Sequence, residues 1–190
     1  MSNDTLAPLF VIAGPSGVGK TTIAERVLAT SGLPLRRAIT ATTRAHRPGE
    51  VDGKDYHFWT VQQFHDALAG NEMLEHAIVH GRDFYGTPRA EVEPFRIAGT
   101  GVLLLIDVQG ASHIRSLKLP KFYTIFLTVS DWSALEKRLE LRGEAKESIE
   151  RRLRSAHAEA THANEFDVVI FNHDLDATVA ECTNYIRARL

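Results

Sequence analysis

The sequence predicts an α/β protein: a P-loop three-layer fold with a parallel central sheet and an inserted mixed-β subdomain. Three observations carry this. Apolar Leu9–Ala13 runs into a glycine-rich loop and then into helical spacing, the succession strand, loop, helix. An α/β rhythm of the same kind returns at Gly101. Between them, from Arg36 to about Thr87, the pattern breaks into short strand-like pieces and turns, as an insertion between two halves of a sheet would.

The loop reads Gly14-Pro15-Ser16-Gly17-Val18-Gly19-Lys20-Thr21, with the spacing Gly-x-x-x-x-Gly-Lys-[Ser/Thr]. Glycines there let successive backbone N–H groups turn inward around an anion, where a Cβ would block the phosphate. Lys20 is placed to reach terminal phosphates as a point charge, and the Thr21 hydroxyl to ligate Mg²⁺. The following helix, Thr21 to Thr30, adds its positive end to the same site. Ile23, Ala24, Val27 and Leu28 share its apolar face, and Gly32 with Pro34 ends it.

In the insertion, Arg47-Pro48-Gly49 and Val51-Asp52-Gly53 are turn signals, and a short helix starts at Val61. Thr60 and Gln63 have capping-box spacing for it. Val102–Ile106 is apolar throughout, as a central strand covered on both faces must be, and it ends in Asp107. Phe122–Val129 is the next strand, and Ser130 or Asp131 caps a helix through Leu141. A second helix is expected over 147–166, a last strand over 167–171 and a terminal helix over 176–190. The stretch from Thr87 to Gly99, with Pro94 inside it, is left unassigned.

Composition fits one ordinary domain. The chain has 190 residues, 44% hydrophobic, enough for a real core. A net charge of −2 gives no basic field for nucleic acid or an anionic membrane. One cysteine, Cys182, excludes an internal disulfide and fits a reducing compartment. There is no signal-peptide pattern, and no apolar run is long enough to span a bilayer, so a cytoplasmic location is expected.

Arginines are the second strong signal. Arg44 and Arg47 stand three apart in a loop with little apolar content to pack them, and beside a phosphate site they suit phosphate binding. Arg138 and Arg142 flank one edge of the stripe Trp132, Leu135, Leu139; a shared anion would offset their repulsion, and a solvated face is the other reading. On the next helix Ile149, Leu153, Ala156 and Ala160 define the inward face. Arg152 falls at its edge, whereas Arg151 and Arg154 point away. Glu75 follows Met73 and Leu74 in an apolar segment. A carboxylate accepts hydrogen bonds only, so it would match guanine N1–H and the 2-amino group and reject adenine. From the residues alone a solvated Glu75 is the more ordinary reading. Of the nine histidines, His76 and His80 have helical metal spacing but no further ligands nearby. All nine are read as structural or solvated.

Together these residues resemble the guanylate kinases over nearly the whole chain. The most specific stretch is Thr42-Thr43-Arg44 through Arg47-Pro48-Gly49-Glu50-Val51-Asp52-Gly53-Lys54-Asp55-Tyr56-His57-Phe58. Phe84-Tyr85-Gly86-Thr87, Ile106-Asp107-Val108-Gln109-Gly110, Arg138-Leu139, Arg142-Gly143 and Ile149–Leu153 support it. The resemblance implies that Arg44, Arg47, Tyr56 and Tyr85 hold the phosphate of GMP, and that Thr40, Glu75 and Thr87 read guanine. It implies that Arg138, Arg142 and Arg152 meet the transferring phosphate, with Asp107 at the metal end, and that Asn172 lies near the adenine of ATP. Thr87 has a second reading, as N-cap of the segment beginning at Pro88.

The implied layout is a core of residues 1–36, 90–137 and 153–190, a mixed-β GMP-binding insertion at 37–89 and a short helical lid at 138–152. The implied reaction is transfer of the ATP γ-phosphoryl group to GMP, and to dGMP, with Mg²⁺, by a monomer or homodimer without nucleic-acid or membrane partners. Four positions depart from the family pattern. Leu105 stands where the family has Asp or Glu, the lid loop is one residue shorter, the segment before Tyr85 is one longer, and Thr40 replaces Ser. Two rival readings are a kinase of another phosphorylated acceptor, such as a ribose bisphosphate, and a protein-binding module on a kinase fold.

Overall fold

The computed structural model describes residues 6–79, 81–141 and 146–190. A five-stranded sheet forms the centre, in the order β2 (Leu35–Arg37), β7 (Gly101–Leu105), β1 (Leu9–Ala13), β8 (Phe122–Thr128), β9 (Val168–Phe171). All its pairings are parallel. Every residue of β1 is buried, which explains a run without polar alternation. Phe10 and Ile12 face one side, with Leu103, Leu127, helix α1 (Lys20–Thr30) and helix α7 (Leu175–Arg187). Leu9, Val11 and Ala13 face the other, with Leu104, Phe126 and helix α4 (Val108–Ser116). Because β1 lies between β7 and β8, the chain leaves it at the point where connections diverge to either side, the usual place for a ligand crevice.

A second sheet of four strands holds the residues between the halves, in the order β4 (His57–Phe58), β3 (Ala41–Thr42), β6 (Asp83–Pro88), β5 (Met73–Val79). It is mixed: β3 pairs parallel with β4 and antiparallel with β6. Helix α2 (Val61–Ala69) closes it, placing Phe64 against Ala41 and Met73. The Thr60–Gln63 capping box forms in full, each side chain accepting from the other's backbone N–H.

Some boundaries differ from expectation. The helix expected over 147–166 is α6, Lys146–Ala160, followed by a 3₁₀ turn at Ala163–Glu165. The apolar spacing runs on to Ala163, seven residues beyond Ala156, but Ala163 packs with Phe166 and Phe126 on the opposite side of the sheet from the Ile149–Ala156 stripe. A continuous helix could not deliver it there. The last strand starts at Val168, because the Asp167 carboxylate accepts from the Thr124 backbone N–H at 2.7 Å and its hydroxyl at 2.8 Å. Arg37 sits in β2 of the central sheet, not beyond it. The unassigned stretch contains helix α3 (Glu93–Ile97), with Pro94 in its first turn, where a missing N–H costs nothing. No helix among the described residues is long and apolar enough to cross a membrane.

Candidate functional site

The glycine loop leaves β1 at Gly14, whose φ is 137°, and a Cβ there would lie 2.0 Å from the Leu127 carbonyl oxygen. Only glycine fits against β8 at that point. Gly17 and Gly19 also take positive φ, and Gly19 is the N-cap of α1 with no side-chain bond to its first N–H groups. Those donors stand ready for an anion. The Lys20 ammonium donates to the carbonyls of Gly14 and, at 3.1 Å, Pro15. Burial lowers its pKa, opposed by Glu159 and Asp107. Thr21 is exposed at the first turn of α1.

Asn172, just past β9, is buried, and its amide donates to the Val18 carbonyl at 2.7 Å. Its carbonyl accepts from Thr178 at 3.3 Å. The carboxamide is thus committed to the loop itself.

The inserted sheet brings Arg44, Tyr56 and Tyr85 together. Arg44 Nε donates to Tyr85 Oη at 3.0 Å, and its guanidinium lies 5.4 Å from the Tyr56 ring. The two tyrosine rings meet edge to face at 5.9 Å. Glu50 holds the other edge of Arg44 in a forked pair at 2.7 and 2.9 Å, and it also accepts from the Arg47 backbone N–H at 2.7 Å. The Arg44 pair holds the Glu50 carboxyl below its ordinary pKa, while burial raises that of Tyr56. The Arg47 side chain is exposed beside this cluster, and half-buried Thr40 accepts from the His57 N–H at 2.9 Å through its carbonyl. Glu50 had no role assigned from sequence; its place in the Arg47–Glu50 turn is the signal that could have found it.

Glu75 is 3% exposed. Its register partner across β5 and β6 is Thr87, whose hydroxyl donates to Oε1 at 2.6 Å. That bond excludes the capping reading of Thr87: the 3₁₀ turn Arg89–Glu91 has Pro88 as its N-cap and no side-chain cap. The other carboxylate oxygen reaches α4, where a Cβ on Gly110 would lie 2.8 Å from it. Burial raises the Glu75 pKa to about 7, with Asp107 adding to the rise and the Thr87 bond opposing it.

Asp107 caps α4, accepting from the Gly110 N–H at 2.8 Å. It therefore stands between the inserted sheet and the glycine loop, acting electrostatically on both Glu75 and Lys20. Leu105, in register with Ile12, packs into the core on the α1 side. Helix α5 (Trp132–Glu140) carries Arg138, whose side chain is outside the described residues, as are Arg142 and His80. On α6, Arg152 is half-buried and donates to Ser16 at 3.3 Å, whereas Arg151 and Arg154 are exposed, as the periodicity predicts. Glu159 on the same helix went unnoticed in the sequence. Among the described residues no group of three His, Cys, Asp or Glu side chains could hold a metal ion by itself.

The site's geometry can be set beside known proteins. The family model for guanylate kinase matches residues 7–189. A guanylate kinase of Corynebacterium glutamicum is 44% identical over 183 residues, covering 94% of this chain and 95% of that protein. One from Corynebacterium jeikeium is 41% identical over 181 residues, covering 94% and 95%. The crystal structure of guanylate kinase from Anaplasma phagocytophilum superposes with a TM-score of 0.81 at 31% identity, covering 97% of this chain and 86% of that one. A gluconokinase from Sinorhizobium meliloti, at 14% identity and a TM-score of 0.53, shares the fold alone. With a family model spanning nearly every residue and relatives matched end to end, this chain belongs to the guanylate kinase family.

Proposed function

We propose that this guanylate kinase transfers the ATP γ-phosphoryl group to GMP, and to dGMP, through the residues described above. The family assignment carries the activity; the division of labour among side chains is our own reading. The observation that supports the acceptor best is buried Glu75, held by Thr87 at 2.6 Å and, when ionised, open only to partners that donate. Guanine presents two donors on one edge and adenine an acceptor in their place, so a buried carboxylate separates them strongly. Thr40 complements it with a hydroxyl. Arg44, pre-positioned by Glu50 and Tyr85, would take the GMP phosphate with Arg47 and Tyr56.

The chemistry needs alignment and charge neutralisation more than proton transfer. A GMP phosphate oxygen attacks the γ-phosphorus in line, its bond to the bridging oxygen of ADP breaks, and no covalent enzyme intermediate forms. The nucleophile is largely ionised near neutral pH, so no strong base is required. The loop amides and Lys20 would cradle the triphosphate, while Arg138, Arg142 and Arg152 meet the transferring group. Mg²⁺ travelling with ATP fits the oxygen donors Thr21 and Asp107, since such an ion keeps phosphates and waters as its other ligands. When bound it neutralises charge on the β- and γ-phosphates. Residues 37–89 would close on residues 138–152 to exclude water, as ATP is otherwise hydrolysed. Asn172 would stiffen the loop beneath the nucleotide. The single buried cysteine fits work in the cytoplasm, as a monomer or homodimer.

A coupled assay of ADP release with GMP, dGMP, AMP, CMP and UMP tests this. Turnover with GMP and dGMP far above the others is expected, and absence of GMP-dependent release would sink the proposal.

A further inference from the structure

The chain crosses between its two sheets twice, and both crossings meet at one carboxylate. On the way out, the Ala38 N–H still donates to the Leu103 carbonyl of the central sheet at 3.0 Å. Two residues later the Thr40 carbonyl already accepts from His57 of the inserted sheet at 2.9 Å. Ile39 is the single residue between them. On the way back, the Arg89 N–H donates to the Glu72 carbonyl beside β5 at 2.7 Å, and Val92 is buried in the core of the central sheet. Glu91 stands just before Val92. Its Oε2 accepts from the Ile39 N–H at 3.1 Å and from Arg36 at 2.7 Å, and its Oε1 lies 3.0 Å from His57 Nε2. Arg36 belongs to β2, the edge of the central sheet, and His57 to β4, the edge of the inserted one. One side chain thus spans the exit, the return and both sheet edges.

The cluster is built to stay in place. Arg36 also donates to the Glu91 carbonyl and lies 3.6 Å over the Phe95 ring of α3. Glu91, Arg36 and His57 are all half-buried, so this is not an open surface pair. Burial would raise the Glu91 pKa, but the bonds from His57, Arg36 and Ile39 outweigh it and hold the carboxyl below its ordinary value. Ile39 immediately precedes Thr40, and His57 immediately follows Tyr56. We propose that Glu91 is a positioning residue for the acceptor: by clamping Ile39 and His57 to Arg36, it fixes Thr40 and Tyr56 relative to the central sheet that carries the glycine loop. It touches no substrate. In-line transfer is sensitive to such placement, since a misplacement of about 1 Å can cost on the order of 100-fold. The proposal rests on the GMP-binding reading of Thr40 and Tyr56.

The test is steady-state kinetics on the whole enzyme, varying GMP at saturating Mg·ATP and the reverse, beside thermal unfolding. Glu91→Ala removes all three side-chain bonds and should raise KM for GMP about tenfold, with KM for ATP unchanged. Glu91→Gln keeps an oxygen for Ile39 and Arg36, and its amide can donate to a neutral imidazole, so its KM for GMP should stay within about threefold of wild type. A merely structural role would lower Tm and leave both KM values alone. An unchanged KM for GMP in folded Glu91→Ala overturns the proposal, and so does an equal rise for both nucleotides. Should Glu91→Ala fail to fold, His57→Phe decides, because it keeps a ring and deletes only the bond next to Tyr56. A KM for GMP raised about threefold in that variant supports the clamp, and an unchanged one overturns it. Failure of the GMP-site reading looks different, because Thr40→Val and Tyr56→Phe would then leave KM for GMP unmoved as well.

Discussion

Glu75 sets function against stability. Its pKa in the folded chain, about 7, stands above the ordinary 4.5, so the native state favours the proton. The stability this gives is complete below about pH 4.5 and is lost as pH rises through about 7. Glu75→Gln removes the buried charge and keeps a partner for Thr87. The variant should gain about 1–3 kcal/mol over wild type at pH 8, and the two should converge near pH 5, as read by urea unfolding. On the proposed reading guanine binding runs the other way, because it would need the ionised carboxylate. GMP affinity in wild type should weaken by about tenfold per pH unit below 7, beyond the slope of Glu75→Gln, which reports titration of the GMP phosphate alone. Equal slopes would remove Glu75 from the base pocket. Arg44→Lys should raise KM for GMP by roughly tenfold or more and leave KM for ATP alone, since a lysine cannot keep the fork with Glu50 and the bond to Tyr85 together. At this scale the sequence was partly legible. About 100° per residue separated Arg152 from Arg151 and Arg154, because a helix has one inward face. Glu50 was marked only by its turn, and Glu159 was not legible, since no local pattern sets it apart on α6.

Helix α4 joins the two regions proposed to bind nucleotide. Its first turn is capped by Asp107, and its third residue, Gly110, lies under the Glu75 carboxylate. Helix propensity alone favours Gly110→Ala by about 1 kcal/mol. The added Cβ would meet Glu75 Oε2 at 2.8 Å and push the carboxylate out of place. The expected outcome is a KM for GMP raised about tenfold, with ATP binding and thermal stability little changed. Unaltered GMP kinetics would show that the carboxylate moves aside freely. Local signals read this scale well where the physics is local: the Thr60–Gln63 capping box forms as its spacing predicts, and of Ser130 and Asp131 it is Asp131 that caps α5. The end of α6 was misread because the apolar spacing continues to Ala163, which packs on the far side of the sheet. Periodicity reports burial, not which cluster does the burying.

Across the whole molecule, a parallel sheet presents the glycine loop at the end of its central strand, and a mixed sheet carries Arg44, Tyr85 and Glu75, the proposed acceptor site. Asp107 stands electrostatically between them. Fold class and family were legible because the loop motif and the Arg44–Phe58 segment are contiguous in sequence. The layout of charge around Lys20 was not, since it is assembled from the loop, β7–α4 and α6. The account's central claim is that a buried carboxylate chooses the acceptor base. Comparing kcat/KM for GMP, inosine monophosphate and AMP at saturating Mg·ATP tests it most directly. Inosine monophosphate keeps the N1–H and lacks the 2-amino group, so activity should fall in the order GMP, inosine monophosphate, AMP, with the AMP value lower than that for GMP by about 10⁴-fold. Comparable turnover of AMP and GMP would contradict the claim.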